Sequence, residues 1–454
     1  MAAKINIKTE GDAGIPQLSV PHEERMTRGS LSMAWWAICS AMFWLVVAAT
    51  LAMNFGTINA LIGLGLSVVT YGLINAVITR YAIKTGLSVA LFSRVLFGKV
   101  GASLATLIFF ATAIYYSVFE GSVIAVAIQA YFPSLSLELA YFIVVLYSVP
   151  LVFGSVQTWL DKFNGVLLPF YILGLIAAVA VSINEYGYSD AWLNMGPAEG
   201  DPENGWWNCF TYFMGVWILM MYTWDYARFG REDDSRYHAN INFGMPFYLF
   251  TFMVNGVVGI FLAATIPTEG GLSEVSVVLA ILKLMGIWGL LFVWVSQTRI
   301  NTANFYLAAD NMQAFFERFG LQNVPRFVWA IVVGGIVYAL MLMNVFSFIL
   351  QALAYQGIFV VAWVAIALAH IFSPKYDQLF DGQIECDHQR VTSFNPCGLV
   401  AWFSGAGLGI VILNFANPSL ALFSAPITFL VAFCVYLMLL NSAKHHWFVK
   451  PDAV

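Results

Sequence analysis

Twelve apolar stretches dominate this chain, each of about 20 residues, the length a helix needs to cross the hydrocarbon core of a bilayer. They fall at 33–53, 58–78, 104–130, 138–156, 164–184, 208–227, 244–266, 286–304, 328–348, 351–372, 399–416 and 420–441. Of 454 residues, 60% are hydrophobic and only 10% are charged, against about 25% charged in a soluble domain. A water-soluble fold of this size could not hide so much apolar surface, because its helices would be greasy on every face. The expectation is an all-α polytopic protein with the lipid bilayer as its solvent.

The positions of the cations test that reading. The loops after the even-numbered runs, with both tails, hold 18 of the 20 Lys and Arg residues. The opposite loops hold Lys283, and Arg299 lies inside a run. Under the positive-inside rule this places both termini in the cytoplasm of a protein of the inner, or plasma, membrane. A missed or extra span would have scrambled the sorting. The polar first 30 residues have no apolar core or small-residue cleavage site and read as a tail, not a signal peptide. Cys39, Cys209 and Cys434 lie in apolar runs as packing residues. Cys386 and Cys397 share a cytoplasmic loop with His388, in a spacing that matches no strong zinc pattern. All five are expected as free thiols, with no resident metal.

The organisation follows: a tail (1–32), a ten-helix core (33–372), a polar cytoplasmic loop (373–398), two peripheral helices (399–441) and a second tail (442–454). The outer loop 185–207 carries five acids and no base. Residues 272–285 have helical apolar spacing and read as an amphipathic helix at the outer surface.

Ionisable side chains inside a span are rare because each costs about 2.5–3.5 kcal/mol at the helix centre. Glu120 lies in the middle of the third run, four residues after Tyr116 and on the same helix face. The pair reads either as an aromatic platform beside a proton-carrying carboxyl or as a Glu bracing two helices. The eighth run holds Ser296-Gln297-Thr298-Arg299-Ile300-Asn301-Thr302-Ala303-Asn304, seven polar residues in nine. Gln297, Asn301 and Asn304 form one stripe, and Arg299 points roughly 140° from Asn304. The bland alternative is the cytoplasmic end of a helix, with Arg299 snorkelling to headgroups. Asp225 closes the sixth run and reads as a structural partner of Arg228 or Arg231. Trp217, beside Gly215, is a pocket wall or one packing aromatic among 15 tryptophans. There is no Ser–His pair, no paired carboxylates in a span, no phosphate-binding loop and no nucleotide-binding domain. An enzyme is therefore not expected, nor a cofactor or a nucleic-acid partner, and any energy must come from an ion gradient.

Three segments resemble the nucleobase–cation symporters, the family of cytosine, purine, hydantoin and allantoin permeases. They are Lys84-Thr85-Gly86-Leu87 running on to Ser93-Arg94-Val95-Leu96-Phe97-Gly98, then Asp225-Tyr226-Ala227-Arg228-Phe229, and Asn301-Thr302-Ala303-Asn304. The resemblance covers about residues 30–370. It implies a five-plus-five inverted repeat, about 33–184 and 208–372, with two extra C-terminal helices. The site would lie between broken helices 1 and 6 and helices 3 and 8. The family's stacking aromatic falls on Tyr116, its glutamine on Glu120, its helix 6 contact near Gly215, Val216 and Trp217, and its asparagine on Asn304.

Two departures carry consequences. Sodium-coupled members ligate the ion with helix 8 hydroxyls, here at Thr298 and Arg299, and with helix 1 carbonyls, here near Met42 to Leu45. A guanidinium about 4 Å from sodium would cost on the order of 4 kcal/mol at an effective dielectric near 20. Sodium is therefore not expected to couple; Arg299 stands in for it, and Glu120 becomes the site for a coupling proton. The first run has no Gly or Pro between Met33 and Met53, so no break is visible there. The expected function is import of a small nitrogen heterocycle by alternating access. The rivals are an amino-acid or amine permease on the same scaffold and a membrane sensor, which the shortness of every soluble segment disfavours.

Overall fold

The computed structural model describes residues 19–152, 156–268, 272–316, 320–321 and 323–450. The first 18 residues of the expected N-terminal tail and the last four of the C-terminal one lie outside the described residues. Every apolar run has a helical counterpart. α1 is broken into α1a (Arg28–Trp36) and α1b (Phe43–Phe55). α2 is Thr57–Thr85, α3 Ser103–Tyr131, α4 Leu137–Leu151 and α5 Val156–Tyr186. α6 is broken into α6a (Gly205–Met214) and α6b (Ile218–Ala227). α7 runs Glu232–Thr265. α8 is Ile287–Phe316, α9 Arg326–Leu342, α10 Ile349–Phe372, α11 Pro396–Phe415 and α12 Ser424–Asn441. Among the described residues, seven helices are long and apolar enough to span alone, and the bent pair of α1 makes eight. α4 and α9 are shorter than expected.

Two boundaries differ in a way that matters. α7 starts at Glu232, well before the expected 244, because its first turns are polar and carry no apolar signal. α8 continues to Phe316, so the polar run 296–304 lies at the middle of the helix, far from either end. Seven polar residues there are affordable because the stripe faces protein: Gln297, Arg299, Asn301 and Asn304 are all buried. α3 and α8 form the most extensive helix pair in the fold.

The break in α1 is absent from the local sequence. Ala37–Ser40 is a 3-10 turn, Ala41 is extended, and the two halves meet at 42°. The backbone groups released there must find partners, because lipid offers none. The Cys39 carbonyl accepts from Asn255 Nδ2 of α7 at 2.8 Å. Gln297 accepts from Met42 N at 3.2 Å and donates to the Ser40 carbonyl at 3.5 Å. Arg299 Nη2 donates to the Ala37 carbonyl. α6 breaks at Gly215–Trp217, where a Cβ on Gly215 would stand 2.2 Å from the Leu353 carbonyl oxygen of α10.

The connecting segments are built into the core. The helix Ser276–Met285 buries Val277, Val278, Ile281 and Leu282, so it packs inward and leaves only one face outside. Between α2 and α3 lies the inner helix Val89–Gly101, whose first amide, Val89 N, donates to Asp225 Oδ1 at 2.8 Å. The loop 373–398 grips its far end: Asn395 N donates to the Phe97 carbonyl at 2.9 Å, and Lys99 N to the Thr392 carbonyl at 2.7 Å. All five cysteines are free, and no metal-binding group of His, Cys, Asp or Glu exists among the described residues.

Candidate functional site

The α1 break, the helix that follows the α6 break and the midpoints of α3 and α8 surround a cavity of about 430 Å³. Ile38, Ala41 and Trp44 line it from α1, and Phe109, Tyr116 and Glu120 from α3. Leu219, Tyr222 and Asp225 line it from α6b, and Arg299, Thr302 and Asn304 from α8. It extends past Ser88 and Ala90 of the inner helix to Arg228, Asp310 and Asn311, on the side of the Lys- and Arg-rich loops.

Each polar group has a distinct environment. Tyr116 sits edge-on to Phe43 at 5.3 Å, and its hydroxyl accepts from Gln356 Nε2 of α10 at 3.3 Å. Tyr222 lies parallel to Phe109 with ring centroids 5.6 Å apart. Glu120 is 2% exposed. Its Oε2, the Asn304 amide nitrogen and the Tyr222 hydroxyl are buried without a hydrogen-bond partner among the described residues. A buried polar atom left so is costly unless something else completes it. Arg299 is committed differently: Nη2 donates to the Ala37 carbonyl and, at 2.9 Å, to Ser40 Oγ. Its guanidinium thus fills the gap in α1.

The far side of the cavity is closed by aromatic contacts between α3 and the start of α10. Phe119 stacks on Phe346 at 4.9 Å, and the Tyr115 hydroxyl donates to the Ile349 carbonyl at 3.5 Å. Beyond them lies a second recess of about 410 Å³, lined by Asn54, Tyr212, Glu274, Gln351 and Tyr355 among others.

Of the residues singled out in the sequence, Tyr116, Glu120, Arg299 and Asn304 meet in the cavity. Asp225 joins them at the mouth, and the others lie outside its lining. Gln297 bonds α1, as above. Asn301 donates to Ser148 of α4 at 3.2 Å, and Thr298 pairs with Tyr147 at 3.0 Å. Met42 bonds Gln297, and the Leu45 carbonyl faces α7, where a Cβ on Gly259 would come within 2.3 Å of it. Gly215 and Val216 form the α6 break, and Trp217 packs edge-on against Phe429 of α12 at 5.8 Å. The α6 contacts with the cavity are one turn further on, at Leu219 and Tyr222. Their i, i+3 spacing on one face was a usable signal once the break was located. Asp225 has its structural role, at 3.9 Å from Arg228 Nε and capping the inner helix, while also lining the mouth.

The cavity lies between broken α1, α3, α6b and α8, and the same overall fold occurs in known membrane transporters. The inward-facing conformation of Mhp1 aligns with a TM-score of 0.72 at 14% identity, over 97% of this chain and 95% of that one. Mhp1 is described as a nucleobase-cation-symport-1 family transporter. Its closed conformation with bromovinylhydantoin bound aligns at 0.67 and 15% identity, over 92% of both chains. A substrate-bound, outward-open Na⁺-coupled sialic acid symporter aligns at 0.52 and 10% identity, over 94% of this chain and 92% of that one. No protein-family model matches the chain, and no curated protein does. At these identities the likeness establishes the fold, with full coverage.

Proposed function

We propose that this protein imports a small planar nitrogen heterocycle across the inner (plasma) membrane by proton-coupled alternating access, without sodium. One observation carries the reading. Tyr116, Glu120 and Asn304 converge on a single cavity beside the break in α1, while the Arg299 guanidinium occupies the gap in that helix. An aromatic wall beside a carboxyl and an amide suits a flat ring with N–H and carbonyl edges. The bromovinylhydantoin bound to Mhp1 is a ring of that kind. The fixed guanidinium already satisfies the helix 1 carbonyl that a bound cation would seek, and it repels one. Thr298, the remaining hydroxyl at the cation position, is turned toward Tyr147. Glu120 is then the group able to take up a proton.

With the Lys- and Arg-rich loops and both termini in the cytoplasm, the cavity opens inward and the aromatic contacts of α3 and α10 close the outer side. The test is uptake of labelled nucleobases and hydantoins into proteoliposomes under imposed sodium or proton gradients. Accumulation driven by protons and indifferent to sodium is expected. A sodium requirement would overturn the coupling, and uptake of amino acids in place of heterocycles would overturn the substrate class.

A further inference from the structure

We infer, resting on the heterocycle reading above, that the cargo turns an amino-azine edge toward Glu120 and that the coupling proton is held in that contact. An amino-azine edge is a basic ring nitrogen beside an exocyclic N–H.

The Glu120 carboxyl is buried, lines the cavity and receives no hydrogen bond or ion pair from the described residues. Arg299, a cation that lines the same cavity, bonds the backbone and hydroxyl of broken α1. The titratable groups that share the surroundings of Glu120 are phenols for the most part. Tyr116 stands on its own helix and Tyr171 on α5, both within electrostatic reach. Tyr222 and Asp225 on α6b and Arg299 on α8 line the same cavity. Asp225 lies at the mouth and is engaged with Val89 N and Arg228. A dry carboxylate without a counter-ion is strongly disfavoured. In the loaded state Glu120 therefore needs either a proton or a ligand that brings positive charge.

An amino-azine meets both needs at once. The ring nitrogen and one carboxyl oxygen share a single proton, and the exocyclic N–H donates to the other oxygen. Whether the proton rests on Oε2 or on the ring, two hydrogen bonds persist and the net charge of the pair is zero. With the proton on the ring both bonds are charge-assisted, which makes them roughly twice as strong as neutral ones. An imide edge, N–H flanked by carbonyls, has no basic nitrogen and cannot reach that state. The unpartnered Asn304 amide nitrogen and Tyr222 hydroxyl supply donors for a carbonyl elsewhere on the ring. When the cargo leaves for the cytoplasm the proton leaves with it, either on the ring or from Oε2. One proton then crosses for each ring.

The experiment measures equilibrium binding of two matched pairs, cytosine with uracil and adenine with hypoxanthine, to the full chain in detergent from neutral to alkaline pH. Proton uptake accompanying transport is followed in proteoliposomes. The amino-azine of a pair is expected to bind about tenfold or more tightly. Its affinity falls about tenfold per pH unit once free Glu120 and free ring are both deprotonated. The imide or lactam partner brings no charge and loads only against a protonated Glu120, so its affinity falls with pH as well and stays below that of the amino-azine throughout. In E120Q the preference and the pH slope both vanish, and entry of the amino-azine no longer carries a proton. If the wild-type protein binds both members of each pair with equal affinity, this inference fails while the heterocycle reading stands. If neither pair binds and an amino acid does, both fail. The wild-type comparison decides the matter even where E120Q does not fold.

Discussion

The two broken helices reach the same shape by different means. α6 breaks at Gly215, where a bare backbone is needed because α10 comes so close that a Cβ would lie 2.2 Å from the Leu353 carbonyl oxygen. α1 breaks over Ala37–Met42 with no glycine or proline, and side chains from two other helices claim its freed backbone groups. The first break is licensed locally. The second is held from afar, by Asn255 on α7 and by Gln297 and Arg299 on α8. Any motion that separates α8 from α1 must break the bonds of Gln297 and Arg299, whereas the α6 break can travel with α10. The cavity is therefore wired to α8 through α1, and Arg299 is the strongest of those ties.

R299A should test this comparison most severely. It removes a charged donor from the buried Ala37 carbonyl and Ser40 hydroxyl, at a cost of about 1–3 kcal/mol for each group left unsatisfied, read as a large fall in thermal stability and loss of transport. If the guanidinium stands in for a cation, millimolar sodium should restore part of the stability of R299A and do nothing to the wild type. Stability unchanged by R299A would break the claim that α1 is held from α8. G215A should cost about 1–3 kcal/mol by forcing α6 and α10 apart, and no added ion should rescue it. Sodium rescue of G215A would erase the distinction between the two breaks. Asn255→Ala leaves the Cys39 carbonyl unsatisfied, at about 1–2 kcal/mol. Because the Cys39 and Ala37 carbonyls belong to the same turn, the double mutant with R299A should show coupling of about 0.5–3 kcal/mol, and strict additivity would mean that the two ties act independently.

The smallest effect is in thiol labelling. Cys39 lies buried inside the α1 break, so it should stay unlabelled in the wild type and become reactive in R299A. Cys386, in the loop 373–398, sets the background. Burial pushes its thiol up to about 11. Its thiolate, and with it the labelling rate, is low at neutral pH and should climb about tenfold per pH unit toward that value. Rapid labelling of Cys386 near neutral pH would mean that the loop lifts away from the inner helix.

Glu120 and the polar run of α8 were legible because charge and amide groups inside an apolar helix are too costly to be there without a reason. Tyr116 followed from its place one turn before Glu120. Tyr222 and Phe109 were not legible, since aromatic residues abound and nothing local distinguishes one facing a cavity from one facing a core. The spacing that joined Gln297, Asn301 and Asn304 in one stripe was sound as geometry and incomplete as function. A few tens of degrees of helix face separate the three, and each meets a different neighbour: broken α1, Ser148 of α4 and the cavity.

The sequence by itself determined the solvent, the helical class, the sidedness expected from its cations and the few polar residues that had to be buried together. Hydrophobic length and the cost of desolvated charge are properties of short stretches, so they can be read along the chain. Only the tertiary structure decided where α1 breaks, which polar side chains brace it and which face the cavity. Those choices depend on hydrogen-bond partners more than 200 residues away, such as Asn255 for Cys39 and Arg299 for Ala37, and no local pattern records a partner that distant.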